Sequence, residues 1–527
     1  MNNWFKGFFK DKRSGTFQLL LIAGILIVIN ILVKGLIWRF DLTADNRYTL
    51  SSASKHIASS LHDPVSVTAY FSSDLPPQLK RVKNQFKNFL EEFRARSGGN
   101  VEYKFINPDK NNKTAHKAQQ AGVRPVMVSV RKKNKMSQKR AYLGAVFHYH
   151  NKKQVVPVIQ PGAGLEYTVA STIKKLTLKK KPKVGLLQGN KEPGKRAMPQ
   201  LMHELNQEYK VVNISGLDTT AVPADIKVLM VIDPKQKITT PQLKSIDQYI
   251  MSGGKVMFAI NRVQVQLRRG IGRPLKTGIN KLLTAYNLPV KADLVRDAHA
   301  SNIRVQQRQG NFRITNNVQY PYIPQIVNFG NNPISKGLET VVFRFVSSLD
   351  TTHVDSSQHL MILAKSSNKS GIASGYFNLN PMQKWNRSDF TRSHIPVAAA
   401  LQGRFTSAFA NSDSIKVPLK KSKKTSIVVF GDGDFIVNGS GRQQQRMPSD
   451  NISLAVNSVD WLADNTGLMQ LRTKGITNRP LKNIKNSTKT MLKYLNLFLP
   501  LLLVLGYGVY RYQRKKSRRK EWIEKGI

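Results

Sequence analysis

Two long apolar segments, one near each end of the chain, limit what this sequence can fold into more than any other feature. The first runs from Thr16 to Trp38 and contains a single charged residue, Lys34. As a helix it is about 35 Å long, enough to cross a hydrocarbon core of about 30 Å. It is too long for the apolar part of a signal peptide, and no small-residue cleavage motif follows it. We therefore expect a transmembrane helix over 16–38, behind a short N-terminal tail, 1–15.

The second apolar segment, 491–510, is shorter and contains Lys493, Asn496 and Pro500. These residues leave a buried or interfacial helix open as an alternative. A basic tail, 511–527, follows directly, and its first ten residues include seven Lys or Arg and no acidic residue. Such a flank stays on the cytoplasmic side of a membrane. The pattern favours a second transmembrane helix.

The charges of the two tails predict the topology. The first tail, 1–15, carries four basic residues against Asp11 alone, so both spans have positive outer flanks. Two spans with positive outer flanks place both termini in the cytoplasm. We expect a protein of the bacterial inner membrane with 39–490 in the periplasm and a connector, 471–490, before the second span.

The net charge of the chain first suggests nucleic acid as a partner. The 527 residues include 83 Lys and Arg against 31 Asp and Glu, a net charge of +52. The tails account for 12 basic and three acidic residues, so a net +43 lies between them. Long segments cross a membrane largely regardless of charge. The predicted topology therefore excludes nucleic acid and leaves an anionic polymer of the cell envelope open as a partner.

The chain contains no cysteine. This absence excludes disulfides, Cys-ligated zinc, iron–sulfur clusters and thiol catalysis. A hydrophobic content of 40% is enough to fill several cores. The length predicts more than one folded domain.

The region after the first span has the pattern of a small α/β domain. Apolar and polar residues alternate over 65–73, and apolar residues recur at three- and four-residue steps over 75–96, which predicts a strand and an amphipathic helix. A strand at 101–108, a polar helix near 113–121 and a β-meander follow. This β-α-β-α-β-β order predicts a thioredoxin-like domain over 39–180.

After a basic hinge, strands alternate with helices. Continuous apolar runs such as Val228 to Ile232 are typical of parallel strands covered on both faces. The alternation predicts a Rossmann-like α/β domain over 181–470. Within it, 262–420 is richer in Gln, Asn, Ser and basic residues, and we expect β-rich insertions there, with short strands such as 341–348.

One motif imitates a nucleotide-binding loop. GNKEPGK at 189–195 follows an apolar strand and matches the first seven positions of a phosphate-binding loop. Pro193 removes one of the N–H groups that such a loop needs, and Arg196 stands where a Ser or Thr hydroxyl would bind magnesium. The motif therefore favours a structural turn.

A second motif, GDGDF at 431–435, places Asp432 and Asp434 at the end of a predicted strand. Sheets of α/β proteins bind ligands at that edge, and two carboxylates at this spacing suit a hard cation. A turn built from Asp and Gly side chains explains the motif equally well. No other spacing in the sequence indicates a metal or a cofactor.

Several segments together resemble the gliding-motility-associated ABC-transporter auxiliary proteins, the GldG type of the Bacteroidota. The similarity runs from the first span to the second. It is carried by RFDLTADNRYTLS, DPVSVTAYFSSDLPPQLKR, LLQGNKEP, YPYIPQIVNF, FRFVSSLD, GDGDFIVN and DWLADNTGLMQLRTKGI.

The resemblance implies a non-catalytic membrane subunit whose ABC permease and ATPase are separate chains. It also implies a layer like the class I glutamine amidotransferases over 183–261, a fold that acts through a cysteine this chain lacks. It supplies no catalytic residues and no cofactor. Glu192, Asp432 and Asp434 fall within its recurrent motifs and are the ligand candidates. The alternative is a structural envelope protein that binds anionic cell-surface polymers.

Overall fold

The protein divides into two compact units, Met1–Gly475 and Ile476–Ile527, which are taken in turn. Most of the predicted first span, 16–38, and the whole tail, 1–15, lie outside the described residues, although positions 21, 23–25 and 28 are helical. The structure is a computed structural model and describes residues 21, 23–25, 28, 49–132, 135–159, 164–178, 180–309, 312–412, 415–473 and 486–524.

The first unit begins with a mixed sheet and its covering helices. The elements are α1 (Ser52–Ser59), β1 (Val65–Phe71), α2 (Pro77–Arg96), β2 (Val101–Ile106), α3 (Asn112–Gln120), β3 (Pro125–Lys132), β4 (Lys135–Tyr149), β5 (Lys152–Val156) and α4 (Leu165–Thr177). The predicted strands and the amphipathic helix are present within two or three residues of their expected bounds.

The long strand β4 organises this first sheet. Its second half pairs antiparallel with β1 on one side and with β5 on the other, while its first half pairs with β3. Strand β2 lies parallel to β1 on the far side. The central order is therefore β2–β1–β4–β5, and β3 with the first half of β4 forms a hairpin that extends from it.

Two small cores lie against this sheet. Helix α2 buries Val82, Phe86, Leu90 and Phe93, the three- and four-residue spacing seen in the sequence. They share one core with residues of α1 and α4. Helix α3 contributes Ala118 to a smaller core with Tyr70 and Tyr142.

Helix α4 was not predicted from the sequence. It covers most of the segment before the basic hinge, and it buries Leu165, Val169, Ile173 and Leu176 at helical spacing. This spacing was the available signal. The mixture of Thr, Ser and Lys between these positions, with no side-chain cap at Gly164, made the pattern weak.

The residues at the two ends of the folded region 51–471 pack on the first turn of α4. The backbone N–H of Ser51 donates to Glu166 Oε1 at 2.6 Å. At the other end of the region, Leu471 packs against Gly164. A Cβ on Gly164 would lie 2.5 Å from the carbonyl oxygen of Leu471. Leu50 and Leu471 belong to the same core as Leu165. Ser51 and Leu471, at the two ends of the folded region, therefore lie close together in space.

The rest of the first unit is built on a second, larger sheet. Its elements are β6 (Lys183–Leu187), α5 (Pro199–Glu208), β7 (Lys210–Ile214), β8 (Ile226–Ile232), α6 (Thr240–Met251), β9 (Lys255–Ala259), β10 (Val263–Gln266), β11 (Ile271–Pro274), α7 (Ile279–Ala285), β12 (Asp293–Asp297), β13 (Ala300–Gln309), β14 (Phe312–Ile326), β15 (Asn328–Phe329), β16 (Val341–Val342), β17 (His359–Lys365), β18 (Ser370–Ser374), β19 (Phe377–Asn378), β20 (Pro396–Gly403), β21 (Thr425–Phe430) and α8 (Ser449–Ala463).

The large sheet has eight strands in the order β15–β17–β20–β21–β9–β8–β6–β7. The five strands from β21 to β7 are parallel, and β20, β17 and β15 add antiparallel pairs. From β6 the chain goes to β7 on one side and then returns to β8 on the other. The direction of winding thus reverses between β6 and β8, the position where sheets of this kind bind ligands.

Apolar side chains cover both faces of the large sheet. Helices α5 and α8 pack on one face, through residues such as Leu205 and Val459. Helices α6 and α7 pack on the other, through residues such as Ile246 and Leu282. The continuous apolar run of β8 is buried on both faces, as predicted from the sequence.

The region 262–420 contributes to the large sheet as well as forming smaller ones. Strands β17 and β20 extend the large sheet, while β10–β11–β19, β12–β18 and β13–β14–β16 form separate small sheets. The prediction of a strand over 341–348 was wrong beyond Val342. Phe343 and Val346 are buried, but the backbone N–H of Phe343 donates to Pro324 and that of Ser347 to Gly431, so no continuous ladder forms.

The second unit contains one long helix among its described residues, α9 (Asn486–Glu524). Within its segment Ser487–Ser517, an 18-residue stretch has a mean hydropathy of 1.6, and the segment is long and apolar enough to cross a membrane. This segment includes the predicted span 491–510, and Pro500 lies inside the helix. The protein therefore has a mixed α/β region followed by one candidate apolar helix.

A polar junction joins α4 to the large sheet. Lys175 Nζ lies 2.6 Å from Glu208 Oε1. The hydroxyl of Tyr209 donates to Asp460 Oδ1 at 2.8 Å, next to a cavity of about 110 Å³ that Tyr167 also lines. Burial, together with the neighbouring Glu208 carboxylate, raises the pKa of Asp460 to about 7. The junction thus holds a carboxyl group that prefers to stay protonated.

The Asp460→Asn substitution should stabilise the protein above neutral pH. The folded state keeps a proton on Asp460 up to about pH 7, whereas the ordinary pKa is 3.8, so the Asp460 contribution to stability falls as pH rises between these values. Asparagine removes this titration and still accepts from Tyr209. We expect the variant to be more stable by up to about 4 kcal/mol above pH 7 and unchanged near pH 4. Thermal unfolding of the full chain in detergent across this range measures it.

Asp464→Asn is the matched control and should have the opposite effect. Burial favours the neutral form of Asp464, but hydrogen bonds from the backbone N–H of Met469 and from Thr466 outweigh it and lower the pKa. Its ionised form therefore stabilises the fold at neutral pH, and the variant should lose stability there. Parallel pH profiles for wild type and Asp460→Asn would contradict the assignment.

Candidate functional site

Polar loops meet at the carboxyl ends of the parallel strands of the large sheet. They follow β6, β8, β9 and β21, and they carry all three ligand candidates from the sequence. The loop after β6 is fixed to the loop after β8, because the backbone N–H groups of Lys235 and Gln236 both donate to the carbonyl of Asn190. The site therefore spans the point where the winding of the sheet reverses.

Glu192 serves mainly to hold its own loop. Its carboxylate accepts from the backbone N–H of Asn190 at 2.6 Å and from the Asn190 side chain at 3.1 Å. Only 9% of Glu192 is exposed. The sequence GNKEPGK thus forms a turn before α5, as Pro193 within it and Arg196 after it indicated, and Glu192 is a poor ligand candidate.

Asp432 is buried and holds two chain segments together. Its Oδ2 accepts from the backbone N–H of Arg344 at 2.6 Å, and its Oδ1 accepts from that of Asp434 at 2.9 Å. Burial and the adjacent Asp434 carboxyl raise the pKa of Asp432 well above its ordinary value. The structure brings these two candidates together but gives Asp432 a structural role.

Asp434 is the candidate best placed to contact a ligand. Its side chain is partly exposed, in contrast to Asp432 and Glu192. The glycine between the two aspartates fits tightly, since a Cβ on Gly433 would lie 2.9 Å from Asp233. The GDGDF loop therefore packs directly against the end of β8.

Asp233 is the site residue that the sequence analysis did not select. It follows β8 directly, has a φ of 45° and is 2% exposed. It accepts from Asn261 Nδ2 at 3.0 Å and pairs with Lys235 at 3.2 Å. Burial, and then the charge of Asp434, raise the pKa of Asp233 to about 6. An aspartate at the end of a continuous apolar run was the available signal.

The arrangement suits binding better than metal coordination. Within the described part of the chain, no group of three or more His, Asp or Glu residues is placed to hold a metal ion. The acidic side chains are instead held by backbone N–H groups, by Asn261 and by Lys235. A cation or a hydrogen-bond donor of a partner would meet Asp434 first.

Comparison of the sequence with models of known protein families assigns the chain to a family. The family model described as "ABC-type uncharacterized transport system" matches residues 181–464, more than half of the chain. The chain belongs to this family of transport auxiliary proteins. A second model, the domain of unknown function DUF7088, matches residues 44–148. Together the two matches cover the large sheet and the first sheet except β5.

Individual relatives carry less information. An uncharacterized protein of Borreliella burgdorferi is 24% identical over 531 residues, which cover 96% of this chain and 99% of that protein. Among solved structures, the mmIFT52 N-terminal domain is 16% identical, with 53% of this chain and 96% of that chain covered and a TM-score of 0.30. A putative ThuA-like protein from Parabacteroides merdae is 11% identical, with 54% and 90% covered and a TM-score of 0.28. Scores this low say nothing specific about the fold.

Asp432→Ala and Asp434→Ala should separate the structural aspartate from the exposed one. Loss of the Asp432 carboxyl leaves the backbone N–H groups of Arg344 and Asp434 without their acceptor, and we expect about 2 kcal/mol less stability. Loss of the Asp434 carboxyl relieves repulsion with Asp233 and Asp432, so its stability should stay within about 0.5 kcal/mol of wild type or rise. Thermal unfolding of the full chain measures both. An equal loss in the two variants would contradict these roles.

Proposed function

We propose that the protein is a non-catalytic auxiliary membrane subunit of an ABC transport complex, with its permease and ATPase on separate chains. The observation that carries this proposal is the family match over 181–464. The apolar helix α9 supplies a membrane anchor by length and composition. A link to gliding motility rests on the sequence resemblance alone and stays a prediction.

Two membrane spans complete the proposal. The apolar sequence over 16–38 and the helix α9 flank the first unit's folded region. The chain enters this region at Ser51 and leaves it at Leu471, and both positions pack on the first turn of α4. Neighbouring entry and exit points support a region anchored at both ends in one membrane. The basic tails support an inner-membrane protein with both termini in the cytoplasm and 39–490 in the periplasm.

We further propose a thioredoxin-like domain over 39–180 and an amidotransferase-like, Rossmann-like domain over 181–470, followed by a connector, 471–490. The order β2–β1–β4–β5 supports the first assignment, and the five adjacent parallel strands support the second. Without cysteine, the second domain lacks the nucleophile of amidotransferases. Of the three ligand candidates, Glu192 and Asp432 hold loops of its carboxyl edge, and the partly exposed Asp434 is the residue we propose to contact a substrate or partner.

Binding of an anionic envelope polymer is the second candidate function. The observation in its favour is the excess of basic residues between the two tails, a net +43 that the transport proposal does not explain. The two functions differ in their dependence on salt. Polymer binding should weaken steeply as ionic strength rises and should need no transporter.

Co-purification tests the transport proposal. The full chain, tagged and extracted from its own host in mild detergent, should carry a polytopic permease and an ABC ATPase with it. A version that lacks residues 476–527 is the matched control and should lose both proteins. Repeated purification of the intact chain without any permease would overturn the proposal.

Reporter fusions test the topology. An alkaline phosphatase fused near residue 300 should be active, because this enzyme folds in the periplasm, and a fluorescent protein fused after residue 527 should be bright in the cytoplasm. The reverse pattern would show that the folded region lies in the cytoplasm. A cytoplasmic folded region would make nucleic acid a possible partner again, because the chain has a net charge of +52.

A further inference from the structure

Two short connections join the first sheet to the large sheet. The chain passes from α4 to β6 over 178–182, and it returns from α8 over 464–467 to a short 3-10 turn, Leu468–Arg472. This turn packs on the helices of the first sheet, since Leu468 and Leu471 share a core with residues of α4. Helix α4 and the turn thus form one side of a junction, and the ends of α5 and α8 form the other.

The two sides of the junction meet through ion pairs and apolar contact. Lys175 of α4 reaches Glu208 Oε1 at 2.6 Å, and Lys174 reaches Asp464 Oδ1 at 3.6 Å. The side chain of Tyr167 packs against the core between the large sheet and its helices α5 and α8. Partly exposed ion pairs contribute little to the strength of a contact. The groups enclosed in the junction therefore determine how firmly it closes.

An acidic residue lies between the two sides, next to a cavity. Asp460 of α8 lines a cavity of about 110 Å³ together with Tyr167 and Ser171 of α4. A cavity of this volume has room for several water molecules. The hydroxyl of Tyr209 donates to Asp460 Oδ1 at 2.8 Å. The junction therefore contains both a titratable group and the space in which water can solvate its charge.

Charged groups face Asp460 from each element that packs around it: Lys174 and Lys175 of α4, Glu208 at the end of α5, Asp464 after α8 and Arg472 of the turn. The two lysines are already paired with carboxylates. The guanidinium of Arg472 lies 5.7 Å from the centre of the Tyr167 ring, and its Nη2 donates to the carbonyl of Lys336. Within the described part of the chain, no cation forms an ion pair with Asp460.

The surroundings of Asp460 favour its protonated form. Burial of the carboxyl group, and next the charge of Glu208, raise its pKa from 3.8 to about 7. Separation of the two sides would expose the group to water and return its pKa towards 3.8. The proton therefore favours the closed junction. This effect is complete below about pH 4 and is lost as pH rises to about 7.

We propose that this junction is a proton-operated hinge between the first sheet and the large sheet. It stays closed while Asp460 carries its proton. When the carboxyl group ionises, water enters the cavity, α4 and the turn separate from α5 and α8, and the two sheets turn relative to each other. Since Ser51 and Leu471 both pack on α4, the hinge changes the position of the large sheet relative to both ends of the folded region.

A distance across the junction tests the hinge. Lys104→Cys on β2 and Asn213→Cys on β7 give exposed positions for spin labels in a chain that has no other cysteine. Pulsed electron spin resonance on the full chain in detergent should show one distance near about pH 5 and a second population that grows as pH rises. The ratio of the two populations should change by up to about tenfold per pH unit and stay constant above about pH 7.

Two variants of the labelled chain assign the effect to Asp460. Asp460→Asn still accepts from Tyr209 but does not ionise, so its labels should keep the low-pH distance up to about pH 8. Asp464→Asn is the matched control, because it removes the carboxylate that pairs with Lys174 and leaves Asp460 unchanged. Its second population should still grow between about pH 5 and 7.

Two results would overturn the proposal. One is a single, unchanged distance from about pH 5 to 8 in the labelled chain that retains Asp460. The other is a second population that grows with pH to the same extent in Asp460→Asn. Neither result touches the transport proposal, which co-purification with a permease tests separately.

Discussion

The packing of both chain ends on the first turn of α4 is the constraint on which the rest of the structure depends. Ser51 reaches Glu166 through a 2.6 Å hydrogen bond, and Leu471 fits against Gly164 so closely that no side chain could be added there. The two ends of a folded region of more than 400 residues, 51–471, therefore lie side by side at the first turn of α4. In the sequence, the two proposed membrane spans lie on either side of these neighbouring points.

Helix α4 also connects the two chain ends, Ser51 and Leu471, to the large sheet. Its lysines meet Glu208 at the end of α5 and Asp464 just after α8. Helix α8 begins beside the carboxyl edge, where Asn451 donates to the carbonyl of Phe435, and it ends at the junction with α4. Helix α8 therefore links the carboxyl edge of the large sheet to the junction with α4.

The spacing of apolar residues correctly predicted the elements that are apolar on one face or on both faces. The helix α2 and the strand β8 are examples, because burial alone determines their patterns. Helix α4 was missed because Thr, Ser and Lys interrupt its apolar positions, and the segment 341–348 was misread because burial between layers imitates a strand. The local pattern of apolar residues predicts which positions are buried. It does not predict which carbonyl group will accept a hydrogen bond from each backbone N–H.

The candidate site shows the same limit. The motif GNKEPGK was predicted as a structural turn and GDGDF as either a ligand site or a turn, each at the end of a strand, and the structure has both at strand ends. Which of their acids is exposed depends on contacts from distant segments, such as the N–H of Arg344 that reaches Asp432 across 88 residues of sequence.

The distance between the two chain ends at α4 tests this view of the protein most directly. Because the chain contains no cysteine, Thr49→Cys and Thr473→Cys give two unique positions for spin labels in the full chain, reconstituted in a bilayer. Both positions lie next to the first turn of one helix, whose diameter is about 10–12 Å, so pulsed electron spin resonance should find the labels within roughly 20 Å of each other. A separation comparable with the diameter of the folded region, roughly 50 Å, would show that the ends do not meet and would contradict the account.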